Sequence, residues 1–146
     1  MQQQRQYVGI DLHRRRSVIV RMTEDGEVLD TVRIVNDAVA LSLELAKAGP
    51  DPEVALEACY GWYWAADLLE ADGAHVHLVH PLGLHWDTRR VKNDERDATE
   101  LAHRLRRGDL PESWIAHWSC VSSVSSFATG PSSRRYAPQP RRRYTR

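Results

Sequence analysis

Short apolar runs separated by polar turns divide the first part of the chain into segments with the spacing of β-strands. The runs at residues 8–10, 17–22 and 28–35 each predict a strand. An Asp-Gly pair at residues 25–26 predicts a tight turn between the second and third runs, since such a turn needs positive φ. The three strands are therefore predicted to form an antiparallel meander.

The pattern then changes to the spacing of an amphipathic helix. Asn36 is predicted to cap a helix at residues 37–48, which Gly49 and Pro50 end. The apolar side of this helix is predicted to consist of Val39, Leu41, Leu43, Leu45 and Ala46.

Strands and helices alternate in the remainder, up to Gly108. The predicted elements are a strand at residues 53–58, a helix at 62–71, a strand at 74–81, a loop at 82–93 and a helix at 94–107. The order βββαβαβα joins an antiparallel meander to parallel strands through helical crossovers. This order predicts a ribonuclease H-like α/β fold, with a mixed five-stranded sheet and flanking helices.

Acidic residues stand at the ends of these elements. In the predicted fold the first and fourth strands are parallel neighbours, so Asp11 and Glu57 are expected side by side at one edge of the sheet. Asp94 and Asp97 share a face at the start of the last helix, which is expected to point at the same edge. Carboxylate oxygens that converge in this way suit one or two Mg²⁺ or Mn²⁺ ions.

Each of these acids also has a simpler interpretation. Asp11 can begin a turn that faces solvent, as single acids after strands often do. Asp94 and Asp97 can stabilise the helix N-terminus through its dipole, which contributes about 0.3–1 kcal/mol. The alternating His75, His77 and His80 are better explained as edge or packing residues than as a zinc site, which would need further ligands on one face.

Two basic clusters flank the acids along the chain, and they are predicted to contact nucleic-acid phosphates. A merely solvated surface remains an alternative for both clusters. The residues concerned are His13, Arg14, Arg15, Arg89, Arg90 and Lys92.

Four blocks of this sequence together resemble the N-terminal domain of the DEDD transposases. These are RuvC-like recombinases of insertion sequences, related to the Piv/MooV invertases. The blocks are YVGIDLH at residues 7–13, ALEA at 55–58 followed by GWY at 61–63, VHLVHP at 76–81, and KNDERDA at 92–98. They fall in the order of the family and cover about residues 5–115.

The resemblance implies a metal-dependent DNA recombinase of prokaryotic origin, cytoplasmic and associated with the nucleoid. Its DEDD tetrad would map to Asp11, Glu57, Asp94 and Asp97, with Mg²⁺ or Mn²⁺ as cofactor. Donor and target DNA, a structured guide RNA and further copies of the chain are the partners it implies. Family members also carry a second, C-terminal domain with a nucleophilic serine.

Composition divides the 146-residue chain near residue 116. All 20 acidic residues precede Ser113, whereas six arginines follow Ala116, so the body is acidic and the tail basic. With 42% hydrophobic and 27% charged residues, no apolar run of membrane-spanning length and no signal peptide, the chain is expected to be soluble. Two cysteines without metal spacing are typical of a reducing compartment.

Residues 1–116 are therefore predicted to form the catalytic domain and residues 117–146 a disordered tail. The tail is rich in Ser, Pro and Arg, where the family has a long charged helix and the serine domain. We interpret it as a frameshifted or truncated end, which translation of the other two reading frames would test. A genuine basic arm that binds phosphates is the alternative.

Two other classes of function are alternatives to a transposase. Sugar and acetate kinases share the fold, but they need glycine-rich phosphate loops, which this sequence lacks. A non-catalytic fragment that binds nucleic acid or mediates oligomerisation is the stronger alternative, because the serine domain is expected to be missing.

Overall fold

The computed structural model describes residues 5–59, 61–81 and 93–113. These residues form the predicted order of strands and helices. The elements are β1 (Tyr7–Leu12), β2 (Arg16–Met22), β3 (Val28–Val35), α1 (Ala38–Ala46), β4 (Glu53–Glu57), α2 (Tyr63–Ala71), β5 (His75–Val79) and α3 (Asp94–Arg107). The predicted tail at 117–146 lies outside the described residues, so its separation from the catalytic domain stays a prediction.

The five strands form one mixed sheet in the order β3-β2-β1-β4-β5. β2 pairs antiparallel with both β1 and β3, which confirms the predicted meander. β1 pairs parallel with β4, and β4 with β5. The central strand β1 is therefore flanked by one antiparallel and one parallel neighbour, as the ribonuclease H-like fold requires.

Alternation along the strands separates two apolar layers. Val8 and Ile10 of β1 point to one face, where they pack in the main core with buried residues of α1 and α2 such as Leu41 and Leu69. The opposite face of the sheet packs against α3. The buried residues of α3 are Ala98, Leu101, Ala102 and Leu105.

A glycine in β1 permits α3 to approach closely. A Cβ atom at Gly9 would collide with the backbone oxygen of Ala98 and lie 2.7 Å from the backbone nitrogen of Ala102. Both helix residues are alanines and fully buried, so small residues meet on each side of the contact. The distance between α3 and the sheet is thus set by a contact that no larger residue at position 9 would allow.

The start of α1 corrects the sequence prediction. Its N-cap is Asp37, whose side chain accepts a hydrogen bond from the backbone N–H of Ala40. Asn36 is not the cap, because its side chain is hydrogen-bonded to Ser17 and to the backbone of His13.

The predicted apolar side of α1 is also only partly right. Leu41 and Leu45 are buried, whereas Val39 and Leu43 are 66% and 62% exposed. Residues four apart lie on one side of a helix, so the buried pair and the exposed pair form two separate stripes. Only the first stripe contributes to the core.

The segment after α3 returns along the edge strand β5. The backbone N–H of His80 donates to the oxygen of Pro111, and that of Ser113 donates to the oxygen of Leu78. The His77 ring lies between two carboxylates, 2.7 Å from Glu53 and 2.6 Å from Glu112. This ring therefore joins the returning segment to the sheet, in agreement with a structural role for the histidines of β5.

Burial alone lowers the pKa of His77, but the hydrogen bonds and charges of Glu53 and Glu112 outweigh it, so the pKa lies above its ordinary value of 6.5. A raised folded-state pKa gives stability that is fully present below the unfolded-state pKa and is lost as the pH rises through the folded-state value.

None of the helices in the described part of the chain is long and apolar enough to cross a membrane.

We expect the free energy of unfolding to fall by about 3 kcal/mol in Gly9→Ala, because the added methyl group pushes α3 off the sheet. Urea denaturation measures this loss. Gly73→Ala is the control, since nothing lies within 4 Å of its added Cβ and only its φ of +91° is strained. That control should lose about 1–2 kcal/mol. Equal losses at both positions would contradict a steric role for the contact between Gly9 and α3.

We expect His77→Gln to destabilise the protein more at pH 5.5 than at pH 8.5. The wild-type ring is charged between its two carboxylates at the lower pH and loses that charge as the pH rises, whereas glutamine never titrates. Denaturation at both pH values measures the difference. His75→Gln is the matched control on the same strand, because His75 is exposed and has no carboxylate partner among the described residues. A pH-independent loss in His77→Gln would refute the interpretation.

Candidate metal centre

Asp11 lies at the C-terminal end of β1, on the face of the sheet that packs against α3. It follows Gly9 by two positions, so strand alternation directs both residues to the same side. Only 5% of its surface is exposed, and Asp11 and Ser17 are the buried polar residues of the described chain. A carboxylate at this depth needs a charged or hydrogen-bonding partner.

The first turn of α3 brings further acids to this end of the sheet. Asn93 caps the helix, its side chain accepting a hydrogen bond from the backbone N–H of Glu95. Asp94 and Asp97 occupy the first turn. Asp94 lies one turn before the contact of Ala98 with β1, and Asp97 directly precedes Ala98. The close packing of α3 on Gly9 therefore carries these acids towards Asp11.

Two carboxylates meet around one imidazole at this site. Nε2 of His13 lies 2.9 Å from an oxygen of Asp11 and 3.3 Å from an oxygen of Asp94. One ligand atom from each of the three residues lies within 4.8 Å of the others, close enough to share a metal ion. Arg33 from β3 approaches the other oxygen of Asp94 at 3.8 Å.

The electrostatics of Asp11 reflect its burial and its neighbours. Burial raises the pKa of Asp11 above its ordinary value, and the charges of Asp97 and Asp94 raise it further, while His13 opposes the shift. A divalent cation would compensate both the lost hydration and the repulsion among the acids. The carboxylate oxygens suit Mg²⁺ or Mn²⁺. The residues present therefore fit the expected ion.

Glu57 and Asp97 lie near this cluster without belonging to the group of three. Ile10 pairs with Leu56, so Asp11 and Glu57 are the next positions on adjacent parallel strands. Alternation gives Glu57 the same face as Ala55, which packs against α3. The charge of Asp97 acts on Asp11. Of the predicted tetrad, Asp11 and Asp94 thus belong to the group of three, whereas Glu57 ends the neighbouring strand and Asp97 follows in the first turn of α3.

The thiol of Cys59 lies beside these acids and is unreactive. The thiol of Cys59 donates to the backbone oxygen of Leu12 at 2.8 Å. Burial, followed by the charge of Glu57, raises the pKa of Cys59 to about 11. The thiolate is the reactive form, so this residue is held in its unreactive form.

Asn36 fixes the turn that carries His13, a role that the capping interpretation missed. Its Oδ1 accepts from the hydroxyl of Ser17 at 2.6 Å, and its Nδ2 donates to the backbone oxygen of His13 at 2.6 Å. Its backbone N–H donates to the oxygen of Arg15 at 3.0 Å. The meander offered a signal for this role, since a residue just after β3 must lie beside the turn between β1 and β2.

The structure describes some of the predicted phosphate-binding residues and not others. Arg14 and Arg15 are exposed on the turn between β1 and β2, close to the cluster. Arg89, Arg90 and Lys92 lie outside the described residues, so their contact with phosphates stays a prediction. Arg33 was not predicted as a site residue, because its proximity to Asp94 depends on the order of strands across the sheet.

The strand order and the acids at the ends of β1, β4 and the start of α3 define a ribonuclease H-like domain. This is the class of fold that the element order predicted.

The family follows from comparison with known proteins. Residues 8–117 match the family model of the IS110-type DEDD transposases, which is described as a transposase. The chain therefore belongs to this family, and the described residues are part of its N-terminal domain. This confirms the resemblance seen in the sequence. No curated protein matches the chain.

We expect Asn36→Ala to lower the free energy of unfolding by about 1–3 kcal/mol, because the buried Ser17 hydroxyl loses its acceptor. Urea denaturation of Asn36→Ala, Ser17→Ala and the double variant gives a double-mutant cycle. The double variant should lose less than the sum of the single variants, since each single change already removes the shared hydrogen bond. Strictly additive losses would argue against this coupling.

Proposed function

We propose that this domain is the metal-dependent catalytic part of an insertion-sequence transposase and acts on DNA phosphodiesters. The observation that carries the proposal is the meeting of Asp11, His13 and Asp94, with ligand atoms within 4.8 Å of one another. Membership of the transposase family supplies the DNA substrate.

The proposed ligands of the ion are Asp11, Glu57, Asp94 and Asp97. Asp11 and Glu57 end adjacent parallel strands, and the two helix acids come from the first turn of α3. Mg²⁺ or Mn²⁺ bound there would activate the attacking oxygen and stabilise the negative charge of a phosphodiester undergoing displacement.

The protein contributes to this chemistry by orienting the Asp11 carboxylate and by shielding it from water. The burial of Asp11 limits the carboxylate to few orientations and removes competing water. His13 holds an oxygen of Asp11 at 2.9 Å, and the turn that carries the ring is itself fixed by Asn36. The geometry of the first ligand is thereby set before substrate arrives.

Larger assemblies are proposed from the family resemblance. They comprise donor and target DNA, a structured guide RNA and several copies of the chain, in the nucleoid of a prokaryotic cell. Arg14 and Arg15 beside the cluster are compatible with an anionic partner, because their exposed guanidinium groups are suited to phosphate.

Binding of Mn²⁺ to wild type and Asp11→Asn, measured by calorimetry, tests the proposal. We expect the substitution to weaken affinity by about tenfold or more, because it removes a charged ligand while keeping the shape of the side chain. Glu95→Gln is the matched control: it removes an exposed acid of the same helical turn that is not a proposed ligand. Its affinity should stay within about twofold of wild type.

The same measurement separates the two candidate functions. Equal affinity in wild type and Asp11→Asn would contradict a metal centre here and favour a non-catalytic fragment that binds nucleic acid or mediates oligomerisation. Loss of Mn²⁺ binding in Asp11→Asn, together with Mn²⁺-dependent nicking of DNA by the wild type, would favour the function of a metal-dependent catalytic domain.

A further inference from the structure

The chain segment that follows α3 covers the outer edge of β5. This returning segment consists of residues 110–113, and two backbone hydrogen bonds join it to the strand. Their donors are the N–H groups of His80 and Ser113. Their acceptors are the backbone oxygens of Pro111 and Leu78, at 3.0 and 2.6 Å. The returning segment therefore occupies main-chain groups that an edge strand otherwise leaves unpaired.

A side-chain contact supplements these few backbone bonds. Glu112 forms an isolated antiparallel bridge with Val79, and its Oε1 lies 2.6 Å from Nδ1 of His77. The other ring nitrogen, Nε2, lies 2.7 Å from Oε2 of Glu53 in β4. The imidazole of His77 thus lies between a carboxylate of the sheet and a carboxylate of the returning segment.

Both contacts of this ring require it to donate. An ionised carboxylate only accepts hydrogen bonds, and a neutral imidazole has a single N–H group. The two contacts are therefore satisfied together when the ring of His77 carries two protons and a positive charge, which also strengthens each bond. Once one proton leaves, one ring nitrogen presents a lone pair to a carboxylate oxygen, and that contact becomes repulsive.

The surroundings of the two carboxylates determine which contact breaks. The side chain of Glu53 is 15% exposed, and its other oxygen pairs with Arg5 at 3.1 Å. The side chain of Glu112 is 54% exposed, and it belongs to the segment that few backbone bonds hold. Hydration is therefore available to Glu112 at little cost, so Glu112 is the partner that leaves the neutral ring.

The other charged groups around this edge are engaged elsewhere or exposed. Within the described part of the chain, the ion pairs of the His77 ring are those with Glu53 and Glu112. His75, on the same strand, is exposed. The charged side chains towards the end of α3 form ion pairs with one another, and they are Glu100, Arg104, Arg107 and Asp109. The charge of the ring is thus balanced by its two carboxylates.

We propose that His77 is a pH-sensitive latch, which holds the returning segment on β5 while the ring is protonated and releases it when the ring loses a proton. Burial opposes the charged ring, but its two carboxylates raise the pKa of His77 above 6.5. The latch is therefore closed below the unfolded-state pKa and opens as the pH rises through the folded-state value. The device is separate from the metal centre and does not rest on the proposed function.

The test is amide hydrogen exchange of the full chain at pH 6 and pH 8.5, measured by NMR in EDTA and expressed as protection factors. The amides of His80 and Ser113 report on the latch. The amide of Ala58 is the internal control, because it donates to Val79 at 2.9 Å from the β4 side of the same strand. The ¹⁵N shifts of the His77 ring report its protonation in the same samples.

We expect the protection factors of His80 and Ser113 to fall by about tenfold or more at pH 8.5, since one bound proton contributes up to a tenfold change for each pH unit. Protection of Ala58 should stay within about twofold. In Glu112→Gln the fall should disappear, because an amide accepts from the charged ring and donates to the neutral one. His75→Gln is the matched control, and it should keep the pH dependence of the wild type.

Equal protection of His80 and Ser113 at both pH values in the wild type would overturn the proposal. A fall that Ala58 shares would do the same, because it would show unfolding of the sheet rather than release of one segment. Wild-type pH dependence in Glu112→Gln would also overturn it, since the contact between Glu112 and His77 would then not control the release.

Discussion

The site depends on one steric constraint, the close approach of α3 to β1. Gly9 offers no side chain, and Ala98 and Ala102 offer only methyl groups, so the helix backbone rests almost directly on the central strand. Asp11 is two residues beyond this contact on the strand, and Asp94 is one helical turn before it on α3. The contact therefore fixes the positions of both carboxylates at once.

Bringing the carboxylates together costs electrostatic free energy that the rest of the site partly offsets. Asp11 is buried and has neighbouring acids, and both effects favour its neutral form. His13 is hydrogen-bonded to Asp11 and lies 3.3 Å from an oxygen of Asp94, and Arg33 approaches the other oxygen of Asp94. Asp11 and Asp94 thus each have a basic neighbour, and the turn between β1 and β2 adds further arginines beside them.

The sequence predicted the architecture well, because local signals and sheet topology agreed. Apolar periodicity gave every strand and helix in the described residues, and the order of elements then required β1 and β4 to be neighbours. From this neighbour relation alone, Asp11 and Glu57 could be assigned to one edge. These inferences need no knowledge of side-chain contacts.

Side-chain partners could not be predicted in the same way. Asn36 and Asp37 are both good N-cap residues, and the choice between them depends on Ser17, which is nineteen positions earlier. The exposed Leu43 has the same residue type as the buried Leu41, so composition could not distinguish the stripe that packs in the core. Proximity of Arg33 to Asp94 arises only when three strands lie side by side. Each failure concerns a long-range contact.

The two ends of α3 carry opposite charges, and this has a consequence for how the centre is assembled. Acids occupy its first turn and arginines its last, both favourable to the helix dipole, and Gly108 closes the helix in the left-handed conformation. The helix thus has its own sources of stability, and the apolar face holds it on the sheet. Folding of this scaffold is therefore expected to proceed without the proposed ion, whose binding would add to a helix that the sheet already holds in place.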